Sequence, residues 1–228
     1  MIVEICCTSL ASFRNAVSGG AHRLELCENL SQDGLTPSTN FLEQVMETSP
    51  IPVHVLIRPR GGNFTYSELE IQAIGNQIEK VKSYGAQGIV MGALNPDQGL
   101  AVGALQGWIQ KAKGMDLTFH RAFDRVAAPE IALKTLIDLG FNRVLTSGQQ
   151  KTAAAGIELL KELQSIAKEH LTIMPGGGIN DQNCELFFEA GFGEIHLSAK
   201  GKEKTANGEN ISDLSTIGRV VEKSKKYY

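Results

Sequence analysis

The sequence predicts an α/β protein built as a closed (β/α)8 barrel of the TIM type, a single domain over residues 1–228. Three observations predict it. Short apolar runs alternate with amphipathic stretches throughout, and eight such units fit into 228 residues, a length this barrel commonly occupies. A repeat recurs at every second strand: a glycine, then Ala or Phe, two further residues, and an aliphatic. The positions that pattern aligns fall into sets of four from alternate strands, which is how barrel interiors fill.

The elements follow in order. The first strand is expected at Ile2–Cys6, where Val3 and Ile5 alternate with Glu4 and Cys6, and the first helix at Leu10–Ser18. Gly20-Ala21-His22-Arg23-Leu24 stops that helix in a glycine cap and opens strand Arg23–Cys27, whose Glu25 and Cys27 repeat the alternation. Helix Ser38–Thr48, strand Pro52–Ile57 and helix Ser67–Ser83 come next. Gly85-Ala86-Gln87-Gly88-Ile89 then opens strand Gly88–Gly92. Helix Val102–Lys113 and strand Leu117–His120 precede helix Pro129–Leu139, whose proline suits a first turn. Gly140-Phe141-Asn142-Arg143-Val144 opens strand Arg143–Thr146, followed by helix Thr152–Glu169 and strand Leu171–Met174. Asn180 or Asp181 is the expected N-cap of helix Asp181–Ala190. Gly191-Phe192-Gly193-Glu194-Ile195 opens strand Glu194–Leu197, and a short polar loop over 200–211 leads to the last helix, Ser212–Lys223.

On the even strands the repeat sets Glu25, Val90, Leu145 and His196 at one interior level, with Cys27, Gly92, Ser147 and Ser198 above them. On the odd strands it sets Glu4, His54, Thr118 and Thr172 together, with Cys6, Leu56, His120 and Met174 above. Their apolar alternates should face the helices. A barrel interior is normally aliphatic; carboxylates, imidazoles and thiols near the C-terminal mouth point to a site there.

Composition narrows the function. With 42% hydrophobic and 21% charged residues and a net charge of -3, the chain reads as a globular protein without a nucleic-acid partner. No apolar run reaches the ~20 residues of a membrane span. Met1 enters directly into a strand pattern with no basic leader, so a cytoplasmic setting with reduced thiols is expected for Cys6, Cys7, Cys27 and Cys184. Lys223-Ser224-Lys225-Lys226 reads as a solvated helix end.

Four stretches could carry chemistry. Arg58-Pro59-Arg60-Gly61-Gly62 follows the third strand; its two arginines suit a carboxylate or phosphate, and the competing reading has Arg58 neutralise Glu4 or Glu25 inside the barrel. Phe119-His120-Arg121-Ala122-Phe123-Asp124 ends the fifth strand; His120 is a candidate general acid/base or soft-metal ligand, and Asp124 a residue that bonds the loop or orients Arg121. Gly176, Gly177 and Gly178 after the seventh strand, with Ser198 after the eighth, resemble a phosphate cradle; the competing reading is a tight turn. Cys6 and Cys27, at equivalent places on adjacent strands, suit a soft ion such as Cu(I), while free cysteines are more often small buried hydrophobes. No CxxC or histidine spacing completes a zinc site; Cys7 should face the helices, and Cys184 shows no partner.

These motifs together resemble the CutC family of copper homeostasis proteins. The resemblance is carried by Glu4-Ile5-Cys6, Glu25-Leu26-Cys27, Gly34-Leu35-Thr36-Pro37-Ser38, Arg58-Pro59-Arg60-Gly61-Gly62, Tyr66-Ser67, Thr118 to Asp124, Arg143 to Gly148 and Met174 to Ile179. It implies a cytoplasmic TIM barrel, a homodimer or higher oligomer, and Cu(I) held at Cys6 and Cys27; the neighbouring layers add His120 or Met174 as helpers in a copper-binding role. Gln32-Asp33, Asn63 and a short polar tail depart from the family pattern and bear on the loops at the barrel mouth. Two function classes follow. One is Cu(I) binding at Cys6 and Cys27. The other is an enzyme acting on a small anionic or phosphorylated metabolite, with Glu4, Glu25 and His120 in acid/base roles. Arg58 and Arg60 would hold its anion, and Gly176, Gly177, Gly178 and Ser198 would cradle a phosphate.

Overall fold

The computed structural model of the protein describes residues 1–227, and in it eight parallel strands form a barrel ringed by helices. The strands are β1 (Ile2–Cys7), β2 (Arg23–Leu26), β3 (Val53–Leu56), β4 (Gly88–Met91), β5 (Asp116–Phe119), β6 (Arg143–Thr146), β7 (Thr172–Pro175) and β8 (Glu194–Leu197). The helices are α1 (Leu10–Ser18), α2 (Thr39–Thr48), α3 (Glu68–Ser83), α4 (Val102–Lys111), α5 (Pro129–Asp138), α6 (Ile157–Ala167), α7 (Cys184–Glu189) and α8 (Leu214–Ser224). Each strand pairs with its neighbour in sequence, β1 also pairs with β8, and β7 meets β8 through the Gly176–His196 bridge.

The alternation divides the side chains as the pattern requires. Val3, Ile5, Cys7, Leu24, Leu26, Val53 and Val55 join the main core between sheet and helices. Cys6, Cys27, Leu56 and Val90 form a separate buried cluster inside the barrel. Local signals set the helix starts. Ser9 Oγ accepts from the Ser12 N–H at α1, and Ser67 with Glu70 closes a full capping box at α3.

Three expectations need correction. The segment expected as a polar loop over 200–211 is an antiparallel hairpin, β9 (Lys200–Lys204) and β10 (Asn210–Ser212), turned at Gly208 with φ +82°. Its ends are tied to the barrel, since the Ser212 N–H donates to Ser12 Oγ at 3.0 Å and the Asp213 N–H to Ala199 O at 2.7 Å. Neither Asn180 nor Asp181 caps α7. Asn183 is the residue before it, and its Oδ1 accepts from the Asn180 N–H, while Asp181 takes the Arg219 guanidinium instead. Helix α6 begins at Ile157 and not at Thr152, because the chain first presses Gly156 onto the Ser147–Gly148 backbone, an approach no side chain would permit.

At the N-terminal end of the barrel interior lies an ionic layer. Arg23 donates from Nε to Glu4 and from Nη2 to Glu194, with Met174 Sδ 3.3 Å away. Arg143 bonds the same Glu194 at 3.1 Å and Asp116 at 3.2 Å. Glu4 is fully buried, and burial alone would raise its carboxyl. The Arg23 guanidinium and the His196 hydrogen bond outweigh that and hold it well below the usual range. Glycine makes room beside this layer: a Cβ on Gly88 would stand 2.6 Å from the His54 ring.

Removing Arg23 would leave Glu4 buried and unpaired. Arg23→Ala should therefore cost roughly 3–5 kcal/mol in urea unfolding near neutral pH. Glu4 titrates below its ordinary value of 4.5 in the folded chain, so its contribution is complete above that range and is lost as pH falls through the depressed value. Acid-induced unfolding should consequently begin at a higher pH in Arg23→Ala than in the wild type.

Candidate functional site

A cavity of about 440 Å³ opens at the C-terminal mouth of the barrel. The strands bring the two sequence-predicted thiols together at its lining. Cys6 sits near the end of β1 and Cys27 directly after β2, and their Sγ atoms are 3.2 Å apart. Both are free and buried. The hydrogen bond with Cys27 and then burial push the Cys6 thiol well up. For Cys27 the bond with Cys6 acts downward, but burial and the Glu25 charge prevail and its thiol is also raised. Cys7 turns away into the helix-facing core, and Cys184 is buried on α7.

His196 from β8 completes the cluster. Its Nδ1 lies 2.7 Å from Glu4 Oε1 and its Nε2 3.6 Å from Glu25 Oε2. One ligand atom each from Cys6, Glu25 and His196 falls within 4.8 Å of the others. Burial would strip the imidazole of its proton, yet Glu25, Cys6 and Glu4 overrule burial and raise His196 well above 6.5. Burial raises Glu25 against the pull of His196. Two thiols, one carboxyl group and an imidazole held from beneath by Glu4 thus face one another.

The remaining candidates separate. Glu4 does not line the cavity; it is the buried link between Arg23 and His196. Arg58 lines it, but pairs with neither Glu4 nor Glu25: Nη1 donates to Gln32 O at 2.6 Å and Gly34 O at 2.9 Å, and Nη2 to Gly62 O at 3.1 Å. Arg60 turns outward to Glu70 and to the Gly61, Asn63 and Thr65 carbonyls. His120 lines the cavity as a neutral ring. Burial, then the nearby Arg58 charge, lower it to about 3, and its Nδ1 accepts from the Ala122 N–H at 3.2 Å. An imidazole so placed has no proton to release as a general acid at neutral pH. Gly177, Gly178 and Ser198 lie on the lining, while Gly176 is taken up in the bridge to His196. The N–H groups of Gly177 and Gly178 donate to no acceptor among the described residues. Asp124 does both things expected of it, accepting from Arg121 Nε at 2.7 Å and from the Ser147 N–H at 3.0 Å.

Sequence reasoning missed Arg23, Arg143 and Glu194 as interior residues and His196 as the group beside the thiols. The signal was present. The fourth residue of each repeat is Arg23, Gly88, Arg143 or Glu194, one interior level below the set that contains Glu25 and His196.

The CutC family profile matches residues 1–201. The chain belongs to the CutC family. A copper homeostasis protein cutC homolog of Homo sapiens is 45% identical over 200 residues, 87% of this chain and 73% of that protein. A CutC family protein of Bacteroides fragilis is 41% identical over 221 residues, 96% of this chain and 88% of that one. The crystal structure of a CutC protein from Streptococcus agalactiae superposes with a TM-score of 0.82 at 29% identity, covering 87% of this chain and 98% of the other. An aldolase at 13% identity and TM-score 0.65, covering 87% of this chain and 90% of that one, shares the fold. No helix among the described residues of this CutC family member is long and apolar enough to cross a membrane.

The three barrel histidines should titrate far apart. Heteronuclear NMR of the imidazoles should find His196 still protonated well above pH 6.5. His54, lowered first by burial, should stay neutral to about pH 4 and His120 to about pH 3. Glu4→Gln should bring the His196 midpoint down; an unmoved midpoint would mean that Glu4 does not hold its proton.

Proposed function

We propose that the protein binds Cu(I) through the thiolates of Cys6 and Cys27. The observation that carries this reading is the 3.2 Å approach of the two sulfurs at the lining of an open cavity. Paired soft donors select Cu(I) over hard cations, and membership of a copper homeostasis family points the same way. Charge supports it as well. Two thiolates and one Cu(I) carry a net negative charge, and the imidazolium of His196, already raised toward its protonated form beside Cys6, offsets it. His196 thus serves as a counter-charge in its resting state; Glu25 is the neighbouring oxygen ligand. The reading includes a reducing cytoplasmic setting, in which such thiols persist, and a homo-oligomeric chain, which light scattering at several concentrations checks.

The test is anaerobic Cu(I) titration against a competing chelator. The wild type should bind one equivalent and the Cys6→Ser/Cys27→Ser double variant none. Because both thiols must lose protons first, apparent affinity should weaken with acidification, by up to roughly 100-fold per pH unit below the thiol range. Equal binding by wild type and variant would sink the copper reading.

A second reading rests on the size of the cavity, about 440 Å³, far more than one ion needs, and on the Arg58, Arg121 and Lys200 side chains that line it. It makes the protein an enzyme or binder of a small anionic or phosphorylated metabolite. Acid/base work would then fall to Glu25 and His196, both raised above their ordinary values, and Gly177, Gly178 and Ser198 would contact the anion. A saturable rise in melting temperature with inorganic phosphate or a small carboxylate, retained in the double cysteine variant, is the expected result.

A further inference from the structure

The cavity contains a feature that neither the thiols nor a phosphate cradle explains. Arg58 is 2% exposed. Its guanidinium donates to three backbone carbonyls and lies over the Phe64 ring, and no carboxylate among the described residues lies within ion-pair distance of it. A buried cation without a counter-charge is costly. Its buried Nε makes no well-formed hydrogen bond, and the Tyr66 hydroxyl, also without one, lies close enough to interact with the guanidinium.

The imidazole of His120 adds a second, independent demand. The ring is 4% exposed, and a Cβ on Gly92 would stand 2.6 Å from it, so only glycine there admits it. Phe64 packs on it with centroids 4.8 Å apart and also lies under the Arg58 guanidinium at 4.8 Å. Because the Ala122 N–H donates to Nδ1, that nitrogen carries a lone pair and Nε2 carries the hydrogen. Nε2 is buried and has no partner. Arg58 and His120 are thus joined through one phenyl ring and line one cavity; Arg58 holds a charge that no carboxylate offsets, and His120 a buried N–H with nothing to receive it.

We propose that Arg58 and the Nε2–H of His120 form a carboxylate subsite on the cavity wall, where the bound anion supplies the counter-charge Arg58 lacks and an oxygen acceptor for His120. The proposal deepens the small-anion reading and rests on it. A carboxylate suits the site better than a phosphate, since Arg58 has already committed Nη1 and Nη2 to carbonyls and few donors remain. His120 acts here as a neutral hydrogen-bond donor.

The experiment uses pyruvate and inorganic phosphate as probes, at constant ionic strength, with the full chain. In the wild type pyruvate should bind saturably, and the His120 Nε2–H resonance should move downfield with the same binding curve. His120→Phe keeps the ring and its packing on Phe64 but removes the donor, and should weaken pyruvate roughly ten- to hundred-fold. Arg58→Lys should weaken it likewise, with folding of both variants checked by circular dichroism. The resonance shift in the wild type stands even if a variant fails to fold. Phosphate binding without pyruvate binding, or pyruvate binding that leaves the His120 resonance in place, would overturn the subsite while sparing the small-anion reading. Failure of both probes to bind, with only water at the donors, would overturn both.

Discussion

The site depends on one buried guanidinium. Arg23 reaches across the barrel interior to Glu4 on β1 and Glu194 on β8, the two strands whose pairing closes the barrel on that side. A carboxylate as enclosed as Glu4 persists as an anion only where a cation is fixed against it. Once ionised, Glu4 grips His196, and His196 in turn faces Glu25 and Cys6. A chain of alternating charge therefore runs from the closed end of the barrel to the sulfurs near its mouth. Arg23 keeps Glu4 ionised and Glu4 helps keep the proton on His196, whereas burial raises Glu25 and the thiols against the pull of that imidazole.

This arrangement gives the two sides of the cavity different electrostatic characters. On the β1, β2 and β8 side, charges are paired and a proton is shared among groups that compete for it. On the β3 and β5 side, Arg58 and the neutral His120 offer donors and positive charge, and no carboxylate among the described residues pairs with Arg58. A soft cation is suited to the first side and a hard anion to the second. The paired thiols and the Arg58–His120 wall therefore address different ligands, and binding at one can stand without binding at the other.

Much of this was legible in the sequence because the barrel imposes two simple periods. Alternation along each strand separated Val3 and Ile5 from Glu4 and Cys6, and the glycine repeat aligned even strands well enough to set Glu25 level with His196. What could not be read was partner choice. Arg58 and Arg23 are equally plausible counter-charges for Glu4 in one dimension, and only strand stagger, which sets Glu4 opposite Arg23, decides between them. The protonation state of His120 was hidden for a related reason, since a sequence does not reveal that Gly92 and Phe64 enclose the ring and that burial leaves it neutral. The hairpin at Lys200–Ser212 escaped notice because its residues are polar on both faces and carry no alternation to betray a strand.

The contact between Glu4 and His196 spans 192 residues. During synthesis the thiols of Cys6 and Cys27 emerge with the first two barrel strands, whereas the imidazole that faces Cys6 comes on the last barrel strand. Until that strand docks, the sulfurs belong to an open sheet and are exposed to any metal ion or electrophile in the surroundings. The order of the strands thus sets a window, open until the eighth has been made, in which the two sulfurs lack the enclosure of the finished barrel.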